Sequence, residues 1–309
     1  VPPALKRPPE SAVTLALDAM MDFDLTPEQR LVRRAVRDFA EKEILPHVEA
    51  HEREARYPIE LIRKLVPLGY FAPMVPEEYG GSFVDVMTYG LICEEIARVD
   101  WVVASVISVS NSLVAGSILR YGTPAQKAAW LPKLAKGEKE RWLGAIARGD
   151  LLTSACLTEP GGGTDLGNMA TTATRADGGW RLTGTKVFIS HAAHAGLFFV
   201  VASIDREQKH RGVTAFLVDP HATRGITIGD FPMRTLKRDN LAEVNFQDAF
   251  VPDDAVLGKP GQGFPILGSA LEGFAGQVYS FYAREHPRFV SSTEERWPPA
   301  ALGADREAT

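Results

Sequence analysis

Ser154-Ala155-Cys156-Leu157-Thr158-Glu159-Pro160-Gly161-Gly162-Gly163-Thr164-Asp165 is the stretch on which the reading of this 309-residue chain turns. A short apolar run ends in Thr-Glu-Pro, three glycines and Thr-Asp. Pro160 fixes its own φ and has no N–H, so it cannot sit inside a central strand. The glycines permit left-handed backbone and let the main chain approach a ligand closely. Thr158, Thr164 and the freed N–H groups are the local hydrogen-bond donors. Taken alone, such a segment is a surface turn between two strands. It lacks the Gly-Lys-Ser/Thr of a phosphate loop, and it does not open a helix as Gly-x-Gly-x-x-Gly does.

Its surroundings give it more meaning. About thirty residues on, Gly184-Thr185-Lys186-Val187-Phe188-Ile189-Ser190-His191 ends a second β-like run. Short β-prone segments fill the region after Trp142: 170–174, 180–182, 186–190, 196–204, 213–218, 226–228 and 242–247, parted by turns such as Asp177-Gly178-Gly179. They predict an all-β domain, a sandwich or a barrel-like sheet. Helices do not alternate with these strands, which excludes a Rossmann crossover.

Upstream the pattern is helical. Thr26-Pro27-Glu28-Gln29 is a capping box with proline at the first helical position, and apolar residues then recur at helical spacing to Ile44, before Pro46. A second helix is expected over 58–68. Segments 86–97 and 102–119 are apolar nearly all round, as buried helices are. Thr123-Pro124-Ala125-Gln126 repeats the capping box. The layout is therefore a flexible extension (1–21), an N-terminal all-α domain (22–141), a β domain (142–258), and a final helix with an irregular tail (259–309).

Composition narrows the function. A formal charge of −5 lacks the basic face that grips nucleic acid without regard to sequence. No apolar run of about 18 residues stands out as a membrane span. Cys93 and Cys156 are far apart and have no metal-ligand spacing, which points to a reducing, cytoplasmic setting. His47 and His51, at i and i+4, offer a helical metal pair, but their charged neighbours make a solvated face the better reading. Glu94 and Glu95 read as helix ion-pair partners of Arg98.

The pairing of Thr158-Glu159-Pro160-Gly161-Gly162-Gly163-Thr164-Asp165 with Lys186-Val187-Phe188-Ile189-Ser190 resembles the acyl-CoA dehydrogenase family, whose pattern is Thr-Glu-Pro-x-x-Gly-Ser-Asp followed by Lys-x-aromatic-Ile-Ser/Thr. Leu119-Arg120-Tyr121-Gly122-Thr123 with Gln126, Leu131, Pro132, Leu134 and Gly137 is similar to the family's helix-end segment. Phe250-Val251-Pro252 through Gly258, then Gly261-Gln262-Gly263-Phe264, is similar to its strand-to-helix junction. The resemblance runs from about residue 23 to residue 273. It implies FAD as cofactor and α,β-desaturation of an acyl-CoA thioester, with hydride transfer to flavin N5. It also implies a role in fatty acid metabolism, an electron-transfer flavoprotein as acceptor, and a family homotetramer or homodimer.

Carried over residue by residue, Leu157 and Thr158 contact the isoalloxazine edge. Gly163 allows close approach, and Thr164 reaches the flavin phosphates or the acyl-CoA. Phe188, Ile189 and Ser190 line the flavin, with Phe188 in place of the frequent Trp. Lys237 stands for the family's Arg and Thr235 for its Gly. Glu272 matches an acid that touches acyl-CoA, but Ala275 occupies an Arg position and Phe274 a position that some members use for the base. No catalytic base is assigned. His191 is read as a satisfied surface histidine.

Residues 273–309 lack the pattern of the family's C-terminal helical bundle, so a truncated C-terminal part is expected. That in turn predicts exposed apolar surface on helices 86–97, 102–119 and 264–271. The alternatives to an active enzyme are a non-catalytic flavin- or acyl-CoA-binding module, and an interaction protein without cofactor.

Overall fold

The computed structural model describes residues 24–82, 84–136, 152–231 and 237–271. The expected extension and tail, with Glu272, Phe274 and Ala275, lie outside them, as does Thr235. Helix α1 (Pro27–Phe39) starts as its capping box predicts. The Gln29 N–H donates to Thr26 Oγ1 at 3.2 Å, and the Thr26 N–H donates to Gln29 Oε1 at 3.0 Å. The chain does not stop before Pro46. It passes through a wider helical turn, Ala40–Ile44, into α2 (Leu45–Glu54), with Pro46 in the first turn. The widened turn accommodates Pro46, which has no N–H to give to a regular helical ladder.

Helix α3 (Ile59–Leu65) ends through a short turn at Gly69. Next come α4 (Val86–Ala97), α5 (Trp101–Ser108), a wider turn (Val109–Ala115), α6 (Gly116–Tyr121) and α7 (Pro124–Lys136). Asp100 caps α5, accepting from the N–H groups of Val102 and Val103. A last helix, α8, spans 263–271.

The 21-residue stretch Trp101–Tyr121 corrects one expectation, since with a window of mean hydropathy 1.8 it is long and apolar enough to cross a membrane. Here it is a core element, because 72% of its apolar window is buried inside the protein. A second correction concerns exposed apolar surface. Among the described residues, helices α4 to α6 and α8 expose large apolar side chains only at Val86, Met87, Trp101 and Phe264. Their other apolar faces pack against the sheet and one another.

Eight strands form one sheet: β1 (Leu152–Cys156), β2 (Thr172–Ala176), β3 (Gly179–Ile189), β4 (Ala195–Ser203), β5 (Val213–Val218), β6 (Ile226–Asp230), β7 (Ala242–Pro252) and β8 (Val256–Leu257). Their order is β6-β7-β3-β2-β4-β5-β8, with β1 pairing to β4. Most neighbours are antiparallel, but β4 runs parallel to both β1 and β2. The segments expected at 180–182 and 186–190 are one continuous strand. Gly184 interrupts its pattern as a bulge, with φ at +150°, and is no turn.

Strands β4 and β5 are buried on both faces, which hides their period of two. Phe199, Val201, Ala215 and Leu217 face the helices, whereas Phe198, Val200 and Phe216 face a second core inside the β domain.

Polar contacts lock the helical and β regions together. Arg238, buried, donates to Asp100 Oδ2 at 2.5 Å and to Glu52 Oε2 at 3.1 Å. The Lys237 N–H also reaches Glu52, at 3.1 Å. Gln126, beyond capping α7, donates to the carbonyls of Asp254 and Val256 at 2.7 and 3.0 Å.

Candidate flavin site

The two motifs meet in space because β1 and β3 end side by side. The Val187 N–H donates to the Thr158 carbonyl at 2.9 Å, and Ser154 Oγ donates to the Ser190 carbonyl at 2.7 Å. Beneath them lies a contact that the sequence reading missed. Lys186, fully buried, donates from Nζ to Glu159 Oε1 at 2.8 Å and to the Leu157 carbonyl at 3.1 Å. Glu159 also accepts from the N–H groups of Ala170 and Thr171, at 2.5 and 3.0 Å. The Glu of one motif and the Lys of the other thus form a buried, multiply bonded pair. Burial pulls the Glu159 pKa up, but Lys186 and the two N–H donors outweigh it and hold the carboxyl below the usual range. The available signal was a charged residue inside each otherwise β-like motif.

The glycines act differently from expectation. Glu159 and Gly162 exchange backbone hydrogen bonds across Pro160-Gly161, at 3.0 and 3.1 Å, closing a tight turn. None of Gly161, Gly162 and Gly163 is left-handed. The space over Gly161 and Gly162 is open, since a Cβ there would meet nothing within 4 Å, whereas one on Gly163 would press on Thr158 Cγ2 at 3.2 Å. Gly163 and Thr164 are exposed, while Leu157 and Thr158 are half-buried.

The strain sits on β3 instead. Phe188 has φ +59° at a second bulge and His191 has φ +65°. Left-handed backbone costs an ordinary residue about 1–2 kcal/mol, and for a bulky one it marks a site held by its surroundings. The bulge turns Phe188 outward, leaving the residue 51% exposed, with the Phe231 ring edge-on at 4.6 Å. Ile189 points the other way, into the β core, so only its backbone faces the motif surface. Ser190 is half-buried beside it.

His191 is a buried residue, which corrects its reading as a surface histidine. Tyr57 Oη lies 3.0 Å from Nδ1 and Ser105 Oγ lies 3.2 Å from Nε2. Burial, with His194 nearby, pushes its pKa down to about 3, so the ring is neutral and both nitrogens are engaged.

Of the other singled-out groups, Glu95 does pair with Arg98 (3.3 Å), but its closer partners are Arg33 and Arg37 across the helix interface, at 2.7 and 2.8 Å. His47 and His51 stack, and His51 Nε2 lies 3.0 Å from the Glu60 carboxylate. Among the described residues no three metal-ligating side chains cluster. A cleft of about 840 Å³ between α7 and the β5–β7 side is lined by Thr123, Gln126, Phe250, Val251 and Pro252 and contains no residue of the two motifs that meet at β1 and β3.

The surface therefore has an exposed aromatic face, hydroxyls at Thr158, Thr164 and Ser190, and open main chain over the glycines. That donor set fits a flat heteroaromatic ring carrying a phosphate tail. It leaves the hydride chemistry itself to the bound group.

Comparison with known proteins places the chain in a family. Residues 26–138 match the acyl-CoA dehydrogenase N-terminal domain, and residues 154–249 the acyl-CoA dehydrogenase middle domain. The mitochondrial short-chain specific acyl-CoA dehydrogenase of Bos taurus is 38% identical over 287 residues, covering 91% of this chain and 66% of the relative. Butyryl-CoA dehydrogenase from Megasphaera elsdenii superposes with a TM-score of 0.76 at 34% identity, covering 84% of this chain and 66% of that one. A glutaryl-CoA dehydrogenase from Mycobacterium smegmatis, solved in complex with FADH2, superposes with a TM-score of 0.72 at 29% identity, covering 82% and 61%. The chain belongs to the acyl-CoA dehydrogenase family. It spans just under two thirds of the length of the bovine relative.

Proposed function

We propose that this chain carries the FAD- and acyl-CoA-binding platform of an oxidoreductase that desaturates an acyl-CoA thioester at Cα–Cβ. The observation that carries the reading is Phe188, held outward in a left-handed bulge beside Thr158 by the joined ends of β1 and β3. FAD, when bound, supplies a two-electron acceptor that takes up the β-hydrogen as hydride. Phe188 shields one side of the ring from water, and Thr158 and Ser190 offer hydroxyls to its polar edge. Thr164 and the exposed turn at 161–164, whose Gly162 N–H is already bonded to Glu159, serve a phosphate or the acyl-CoA. Fixed donors of this kind are preorganised for charge that develops on the substrate. His191 is no base, because its nitrogens are occupied. An electron-transfer flavoprotein as acceptor and a family-type homo-oligomer complete the reading. The free thiols Cys93 and Cys156, both pushed up to about 12 by burial, are inert and suit a reducing, cytoplasmic setting.

The test is the visible spectrum of the purified chain after incubation with FAD and removal of free flavin. Retained flavin bands are expected, and Phe188→Ala is expected to weaken FAD about tenfold. Butyryl-CoA added without oxygen should then bleach the bands. Retention without bleaching points to a non-catalytic binding module. A colourless, folded chain overturns the proposal.

A further inference from the structure

The turn joining β3 to β4 is held by the helical region. Tyr57, in the loop between α2 and α3, and Ser105, on α5, both reach His191. The hydrogen bonds have one self-consistent direction. Ser105 Oγ donates to the Val102 carbonyl at 2.8 Å, so its oxygen accepts from His191 Nε2–H. Nδ1 is then the acceptor, and the Tyr57 hydroxyl donates to it. The Tyr57 ring also stacks on His194 at 4.1 Å and 15°, and His194 Nε2 accepts from Asn240 Nδ2 at 3.1 Å. Thus each polar atom of the His191 ring has one assigned partner, and both partners come from outside the sheet.

His191 directly follows Ser190 and lies three residues after Phe188. Its left-handed φ sets the direction in which β3 leaves the sheet. Phe188 is a bulky residue that rarely adopts such backbone, and His191, though more tolerant of it, continues the left-handed path only three residues on. The sheet supplies only part of the restraint: Ser154 on β1 bonds the Ser190 carbonyl, but the β3–β7 ladder breaks register between Lys186 and Ile189, where Phe188 sits.

We propose that Tyr57 and Ser105, acting through His191, are positioning residues for the flavin-facing end of β3. The helical region then presets Phe188 and Ser190 for the cofactor. The inference rests on the FAD reading above.

Two measurements test it on the full chain, in Tyr57→Phe and in Ser105→Ala. FAD affinity, from quenching of flavin fluorescence, should weaken about tenfold in Tyr57→Phe, the cost of one buried hydrogen bond. Amide hydrogen exchange should speed up in residues 187–194 while α4, α5 and β4 keep their protection. In a double-mutant cycle, Tyr57→Phe should add less than twofold to the effect of Phe188→Ala, since both act on the same contact. A merely structural role predicts a lower melting temperature with FAD affinity within twofold of wild type and additive effects in the cycle. That result overturns the proposal. Should Tyr57→Phe not fold, Ser105→Ala, which trims one hydroxyl, carries the same expectations. If the wild-type chain takes up no FAD, the functional reading fails, and the exchange experiment alone decides the clamp: unchanged exchange at 187–194 refutes it.

Discussion

Lys186 and Glu159 show how much can depend on a pair of side chains. Removing one partner of a buried ion pair leaves the other charge in a low-dielectric site, at a cost of about 3–5 kcal/mol. Lys186→Met is therefore expected to lower the unfolding free energy by that amount at neutral pH, measured by urea denaturation. The double replacement with Glu159→Gln should recover part of the loss. An unchanged midpoint in the single variant would show that the two backbone donors to Glu159 suffice by themselves. The residue types of this site were legible in the sequence, and so was the likeness of the two motifs to a flavin-binding pattern. That Lys186 pairs with Glu159 was not, because nothing in a one-dimensional string says that β1 and β3 end together.

At the scale of elements, β3 is the strand that decides the site. It is 11 residues long and carries two bulges, at Gly184 and at Phe188. A Cβ on Gly184 would meet Thr171 Cα at 2.6 Å, in a backbone conformation that side chains rarely adopt. Thr171 in turn donates its N–H to Glu159. Gly184→Ala is thus expected to destabilise by about 2–3 kcal/mol and to weaken FAD binding as Glu159 shifts, read by thermal melting and flavin titration together. Loss of stability with intact flavin affinity would separate the bulge from the site. The helices were the more legible elements, since capping boxes at Thr26 and Thr123 are local signals. The strand was misread as two because a bulge glycine and a turn glycine look alike without their partners.

For the whole molecule, the seam between helices and sheet is polar at its centre, with Asp100, Arg238 and Asp239 all buried. Burial pushes the Asp239 carboxyl up to about 6, against the pull of Arg238, and its Oδ1 has no hydrogen-bond partner among the described residues. A carboxyl whose folded-state pKa lies above its unfolded value keeps its proton longer when folded. Stability is then lost as pH rises from about 4 to about 6, and the penalty is complete above that window. Asp239→Asn should stabilise the protein by about 2–3 kcal/mol at pH 7.5 and by almost nothing at pH 4. Urea denaturation of both proteins at the two pH values checks this. An equal shift at both would mean that the carboxyl does not titrate in this window.

The sequence by itself determined the helical-then-β order, the helix starts and the family, because capping, periodicity and contiguous motifs are encoded locally. Tertiary structure alone decided the parallel pairing of β4 with β1 and β2, the burial of His191 and the outward turn of Phe188. It also decided that the Trp101–Tyr121 stretch is a core helix. Each of these depends on which distant segments share a neighbour, and burial and hydrogen-bond satisfaction are properties of neighbours.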